Sequence, residues 1–492
     1  MPGMGNSELP IPDGLILRPF RGVRFAVDDP AKVTSPPYDL ISDGDVSALL
    51  DAHPNNVVRL IVPGRPGTDA QKPPSDPSTS TDQNTINSDN PLVSSQSQIQ
   101  VSPNSRYQEA GRTLEAWLAS GVLVPDEQPA LYVYEQRGPG VLQRGIIGDV
   151  CLPDPAQRII LPHEDVLPGP ITDRLALMST TQANLEPIFL LYNGQDGAAT
   201  RLVDEVATHR EPLVTAHTED GLTHRLWAVT DDAEIAAVNA DLHPRQALIA
   251  DGHHRYATYR ILQRREHALH AEPTGPGHPA QDGIPSNGRE DDGRGAQDSE
   301  QVKRSPWDFG LALLVDTDAY PPDLKAIHRV IPGLPLEEAV ARAKGSWRVQ
   351  DLSDLDEGIH ALHHTEGPAF LLACENGAHL LTSPDPLQLA QAMPADRSAR
   401  WNSLNTSILT EFVLPKVWGL RDDEETVRIV HHDPHAAVQL AAATGGTAVI
   451  LRPLDVADVL AVASGGERVP RKSTSFGPKP RTGLVLRTFA IR

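Results

Sequence analysis

A short apolar run that stops at Asp-Gly and restarts as a helix constrains this chain more than any other feature. Residues 247–264 read ALIADGHHRYATYRILQR. Ala247, Leu248, Ile249 and Ala250 suit a buried strand, and Asp251 with Gly252 breaks it. Tyr256, Ala257, Tyr259, Ile261 and Leu262 then follow a helical pattern. The layout is strand, sharp turn, helix. His253, His254 and Arg255 occupy the first helical turn, where unpaired backbone N–H groups and the positive end of the dipole attract anions. An arginine and two imidazoles there point to a phosphate or carboxylate site. The plain alternative is a helix capped by Asp251 with surface histidines. Against it, three adjacent side chains that can carry positive charge repel one another unless an anion or acid pairs them.

With 492 residues the chain is too long for one ordinary core, so two domains with linkers are expected. Its formal net charge of −22 excludes a broad nucleic-acid-binding surface, although a local basic pocket is compatible with it. The two cysteines, Cys151 and Cys374, make neither a disulfide scaffold nor a Cys-x-x-Cys zinc pair. The start, MPGMGNSELPIPDG, lacks the basic and apolar regions of a secretory signal, and no apolar run approaches the ~20 residues of a membrane span. A soluble cytoplasmic protein without a membrane partner is expected. Nothing in the composition sets an oligomeric state.

Mixed strands and helices without strict βαβ repetition predict an α+β fold. An N-terminal α+β domain is expected over 1–269, interrupted by a polar, Ser/Thr/Pro/Asp-rich insertion at about 65–105 that buries too little to order itself. A second polar insertion covers 270–304, and 305–492 forms a C-terminal α+β portion that completes the fold. Ser42 with Asp45 reads as a capping pair for a helix to Ala52. Residues 56–63 (NVVRLIVP) read as a strand, 131–150 as a hairpin, 173–184 and 404–418 as helices, and the tail from 469 as a hairpin.

Three further stretches carry candidate chemistry. Ser35-Pro-Pro-Tyr38-Asp39 is a proline-stiffened loop that can wall a pocket without ordering cost, and a simple turn is its alternative. His163-Glu164 after an apolar strand supplies a candidate general base, against a surface pair; it is not a His-Glu-x-x-His zinc helix. Lys472-Ser473-Thr474, with Lys479 beyond, offers a phosphate contact but lacks the glycines of a Walker loop. The pairs His363-His364 and His431-His432 match no metal-ligand spacing, so no metal site is expected from them, and they read as surface or core residues.

Taken together, Ser35–Asp39, His163-Glu164, Ile249–Tyr256, Pro470–Phe476 with Pro478-Lys479, and Thr482–Val485 resemble the bacterial and archaeal domain-of-unknown-function 1015 family over nearly the whole chain apart from the two insertions. The Asp-Gly-His-His-Arg motif is also similar to that of the ParB and sulfiredoxin superfamily, whose members bind nucleotide phosphates at a helix start and include free-serine kinases. Where sulfiredoxin has a cysteine this chain has His253, so reductase chemistry is not implied. The resemblance implies phosphoryl transfer to or from a small hydroxy or amino acid, serine or a related metabolite, with a nucleotide such as ATP or ADP. In that scheme Asp251, Gly252, His254, Arg255, Lys472, Ser473 and Thr474 hold phosphate. Glu164 is the base, His163 joins it in the catalytic set, and His253 contacts phosphate or substrate. Ser35, Tyr38 and Asp39 face the substrate. Magnesium would sit on Asp251 or on the phosphates themselves. A nucleotide-gated switch of the ParB type and a non-catalytic metabolite sensor are the alternatives.

Overall fold

The structure is a computed structural model that describes residues 13–65, 105–270 and 305–491. The expected insertions at about 65–105 and 270–304 fall almost wholly outside the described residues. The fold is α+β and holds two large sheets.

The first sheet runs in the order Ile160–Leu161, Ala247–Asp251, Ile188–Tyr192, Phe309–Asp316, Val141–Cys151, Leu131–Gly138, Thr223–Val229, Val214–His217. Leu17–Arg18 pairs onto Val141–Cys151. Phe309–Asp316 lies between strands from earlier in the chain, so the segment after residue 305 enters the first sheet before building the second. Its eight residues are all buried, as is nearly every residue of Ala247–Asp251 and Ile188–Tyr192, which accounts for their continuous apolar runs. Helices Pro168–Thr181 and His253–His270 pack against each other, as do Ala198–His209 and Asp232–Leu242.

The second sheet runs Arg348–Leu352, Gly377–Thr382, Ala369–Cys374, Thr447–Ile450, Ile327–Ile331, Arg428–His431. Two separate apolar clusters cover it. One contains Trp347, Phe370 and Phe412, and the other contains Leu362, Leu371 and Ala437. A further cluster at the N-terminal end packs Phe25, Leu60 and Ile61 against Tyr107, Leu114 and Trp117 of helix Ser105–Ala119.

Several sequence expectations hold. Ser42 and Asp45 form a reciprocal capping box on helix Asp43–Ala52. The hairpin forms as Leu131–Gly138 against Val141–Cys151. Others are corrected. Residues 56–63 are not a strand: Val58–Ile61 is a helical turn, begun by the Asn56 side chain, which accepts the Val58 N–H and donates to the carbonyls of Lys32 and Thr34. The helix expected from 173 starts at Pro168, a favoured first-turn proline, and ends at Thr181 before left-handed Gln182. The 404–418 helix begins at Asn405 and winds as a π-helix over Leu409–Trp418, around Pro415, which has no N–H to donate. The tail is no hairpin. Ser475–Gly477 pairs with Asp323–Lys325 and Arg487–Thr488 pairs with Ala183–Asn184, because each flank finds a partner strand far away in sequence.

The tail therefore acts as a structural strap, and Phe476 at its centre is 2% exposed in the main core. Phe476→Ala is expected to lower unfolding stability by about 3–5 kcal/mol, the range for deleting a buried aromatic ring. Urea unfolding of the full chain checks this; a loss below about 1 kcal/mol would make the tail a surface decoration.

Candidate functional site

The opening motif sits at the carboxyl end of strand Ala247–Asp251. Pairing with Ile188–Tyr192 slips register between Ile249 and Asp251, a bulge that re-aims the strand end. Gly252 then takes φ +93°, a left-handed conformation that lets strand turn to helix within one residue.

The Asp251 carboxylate is the junction of the site. One oxygen pairs with Arg255, four residues on. The other lies 2.6 Å from Lys479 Nζ, which also pairs with Asp39. Three stretches distant in sequence, the Ser-Pro-Pro-Tyr-Asp loop, the turn and the tail, thus meet at one carboxylate. Burial alone would raise the Asp39 carboxyl and lower the Lys479 ammonium. Lys479 outweighs this for Asp39, whose pKa falls below the ordinary value, and Asp251 with Asp39 outweighs it for Lys479, whose pKa rises.

Arg255 is 4% exposed and turned inward, donating to the Pro187 carbonyl while its Nε lacks a partner. Glu186 is the next carboxylate inward. It accepts the Tyr38 N–H at 3.0 Å and lies 3.8 Å from Arg174, whose guanidinium stacks 4.3 Å from the Tyr38 ring. Burial pushes the Tyr38 phenol up to about 12. Ser35 is buried, with its hydroxyl on the Pro36 carbonyl and its backbone paired to Thr482. Tyr38 and Ser35 thus brace the loop, while Asp39 reaches the surface.

His163 and Glu164 follow strand Ile160–Leu161, the parallel neighbour of the opening strand. Thr474 Oγ1 lies 2.8 Å from His163 Nε2 and 2.9 Å from Glu164 Oε1. A hydroxyl has one proton; given to the carboxylate, it leaves His163 Nε2 as the donor to threonine. The Ile249 backbone also acts on the His163 ring and favours its protonated form. The His163 backbone N–H donates to His253 Nε2 at 3.3 Å, and the two rings meet edge-on at 4.5 Å. Burial lowers His163 to about 3 and holds His253 well below the ordinary histidine value, so both are neutral at pH 7. Histidine repulsion at the helix start is thereby relieved without any anion. His254 is half-buried and accepts the Leu167 N–H at 3.0 Å. Burial, then Lys472, lowers its pKa.

Glu164 is half-buried, and burial raises its pKa against the pull of Thr474 and Lys472. The Thr474 backbone acts on the carboxylate as well as its hydroxyl does. Lys472 is exposed, sits at φ +53° and makes no ion pair among the described residues. Its carbonyl is held 2.9 Å from buried Arg329, and its charge acts on both Glu164 and His254. Ser473 turns its hydroxyl onto the Pro470 carbonyl. Of Lys-Ser-Thr, only the lysine head is exposed and not engaged by a neighbour's hydrogen bond among the described residues.

Magnesium does not fit on Asp251, because both carboxylate oxygens already serve cations. Among the described residues no cluster of three His, Cys, Asp or Glu side chains could hold a metal. No helix there is long and apolar enough to cross a membrane. Sequence reasoning did not single out Glu186, Arg174 or Arg329. Each is an isolated residue, and its role appears only when the sheets bring it under the loop or tail.

The chain belongs to the family described as protein of unknown function (DUF1015), whose model matches residues 17–81 and 78–407. No curated protein matches the sequence. Among solved structures the chain is similar to a free serine kinase in complex with AMP, at 12% identity over 71% of this chain and 93% of that one, TM-score 0.31. It is also similar to SbnI with a C-terminal truncation from Staphylococcus aureus, at 10% identity over 70% and 88%, TM-score 0.33. A conserved hypothetical protein from Pyrococcus furiosus matches at 11% identity over 71% and 97%, TM-score 0.32.

Two outcomes follow from this geometry. Asp251→Asn leaves Arg255 buried without its nearest counter-charge and should cost about 3–5 kcal/mol in urea unfolding. The depressed histidine pKa gives a signed pH effect. Below about 6.5 the unfolded chain binds a proton that folded His163 refuses until about 3, so its contribution is complete above the first value and lost toward the second. The melting temperature should fall from pH 7 to pH 5, and the fall should be shallower in His163→Gln.

Proposed function

We propose that this member of the DUF1015 family binds a nucleotide or other phosphorylated metabolite in the cleft between Gly252–His254, Glu164 and Lys472, and transfers a phosphoryl group to or from a small hydroxy or amino acid such as serine. The observation that carries the reading is Glu164. Its half-buried carboxylate has a raised pKa, is held by Thr474, and feels Lys472, an exposed ammonium that makes no ion pair among the described residues. That combination suits a general base oriented toward a hydroxyl, with a cation available for phosphate charge.

In the forward direction the acceptor oxygen attacks the terminal phosphorus, the bond from phosphorus to the leaving nucleotide oxygen breaks, and the acceptor proton passes to Glu164. Lys472 and the N–H groups at the helix start offset the charge on the phosphate oxygens. Arg255 acts here as a positioning residue, because its guanidinium is buried on Asp251 and the Pro187 carbonyl. Tyr38 and Ser35 hold the loop that presents Asp39. His163 fixes Thr474, and His253 supports His163.

The solved free serine kinases carry AMP or, in a mutant form, ADP, which makes these the first probes. A thermal-shift series with AMP, ADP, ATP and CTP is expected to raise the melting temperature of the wild type with at least one of them. Glu164→Gln should keep that shift and lose about 100-fold or more in phosphoryl transfer to serine, the range for removing a general base. The acid limb of the wild-type rate should lie above the ordinary glutamate value of 4.5, since the base works deprotonated and burial raises it, and this limb should vanish in the glutamine variant. Absence of any nucleotide shift sinks the reading. Nucleotide binding or hydrolysis that serine does not stimulate favours a switch or sensor instead.

A further inference from the structure

The strand that ends at Asp251 begins beside a second cavity. Its first residues, Ala247 and Leu248, pair with Tyr192 and Leu191. Leu248 lies three residues before Asp251, about 10 Å away at the usual strand rise. Helix Val456–Ser464 packs Val459, Val462 and Ala463 into the main core. Val456, Leu460 and Ser464 stand four residues apart on another stripe of this helix and are only half-buried. Between that stripe and the sheet is a cavity of about 440 Å³, floored by Leu191, Leu248 and Tyr192. Its volume falls in the range of small-molecule sites.

The rim is polar, and its donors are already committed. Asn193 Nδ2 donates to Asp318 at 3.0 Å and Gln246 Nε2 to the Arg158 carbonyl at 2.8 Å. Only nitrogen can donate to a carboxylate or a carbonyl, so both amides are fixed in orientation. Asn193 Oδ1 and Gln246 Oε1 are left as acceptors that no described residue engages. The Thr317 hydroxyl donates to the Tyr192 carbonyl. Arg245 is the one charged side chain in the lining. It lies 2.6 Å from the Asp241 carboxylate and also donates to the Asp241 and Asn193 carbonyls. Just outside the lining, Arg158 turns to the Ser464 and Gly465 carbonyls, while Asp316 and Asp318 accept from neutral donors. Three carboxylates thus stand against two guanidinium groups, a balance that disfavours a phosphate or carboxylate occupant. An ammonium is disfavoured too, because no carboxylate lines the apolar floor to replace its hydration.

We propose that this cavity is a ligand site, separate from the Glu164 cleft, for an uncharged and largely apolar small molecule that carries an N–H or O–H donor; indole and phenol are the simplest of the class. Leu191, Leu248, Val456 and Leu460 take the apolar body, and Asn193 Oδ1 or Gln246 Oε1 accepts the donor. The site lies at the foot of the strand whose other end presents Asp251. It does not rest on the phosphoryl-transfer reading.

The test is isothermal titration of the full chain with indole, 1-methylindole and indole-3-carboxylate, on the wild type, Leu460→Trp and Val456→Phe. Indole should bind the wild type saturably, with a Kd of about 1 mM or below, as suits a ligand of its size. 1-Methylindole keeps the ring and loses the donor, so it should bind about fivefold more weakly. Indole-3-carboxylate brings a charge that meets no free cation and should bind more weakly than indole. Both variants fill the cavity from half-buried positions and should abolish indole binding. Hydrogen exchange of the wild type locates the site without any substitution: indole should slow exchange across 191–195, 244–248 and 456–464. Several results would overturn the proposal. These are no saturable indole binding, 1-methylindole or the carboxylate binding as tightly as indole, unchanged indole affinity in both variants, or exchange slowed only around Glu164 and 251–256. Each leaves the proposed function standing, since nucleotide binding is read separately.

Discussion

One carboxylate governs the arrangement. Asp251 ends a buried strand, so its side chain leaves the sheet at a fixed point and must find cations there. It finds Arg255 one helical turn later and Lys479 from the far end of the sequence. Charge then alternates outward from this point: Lys479 to Asp39 at the surface, and Arg255 past Glu186 to Arg174 and Asp173 inward. Each buried ion is tolerable only because its neighbour has the opposite sign; an isolated one would cost several kcal/mol after relaxation. The relay is thus a device of specificity more than of net stability: it admits one docking of loop, turn and tail and penalises others.

The tail supplies the complementary constraint. Its backbone joins the Asp323–Lys325 strand ahead of the second sheet, while its side chains serve the first: Thr474 holds Glu164 and His163, Phe476 fills the main core, and Lys479 closes the ion relay. Arg329 reaches from the second sheet to hold the carbonyls of Arg471 and Lys472, so the left-handed turn at Lys472 is over-determined rather than loose. Site geometry therefore depends on the second sheet even where no second-sheet side chain enters the chemistry.

Much of this could be read from residue order. The strand–turn–helix of 247–264, the Ser42 capping box and the long hairpin follow from local rules that tertiary packing did not oppose. The Asp251–Arg255 spacing of four also announces a pair on one helix face. What could not be read is direction. From the sequence Arg255 looks like a solvent-facing anion ligand, yet it shares the inward face with Tyr259 and Leu262, and the sheet edge buries it with them. The Val-Val-Arg-Leu-Ile run at 57–61 carries strand-type residues. Asn56 overrides that propensity by hydrogen-bonding into the preceding loop. The tail's glycines and prolines mark its bends without naming the strands it joins.

The late position of the tail also has a biosynthetic consequence. Ser35 waits for Thr482 and Asn184 for Arg487, contacts separated by hundreds of residues, so loop closure makes them slow and late to form. On the ribosome the early segments would emerge with Asp39, Glu186 and Asp251 already present and the cation from Lys479 still unmade. A nascent chain halted before the strap lacks Lys479, leaving Asp39 and Asp251 without that cation.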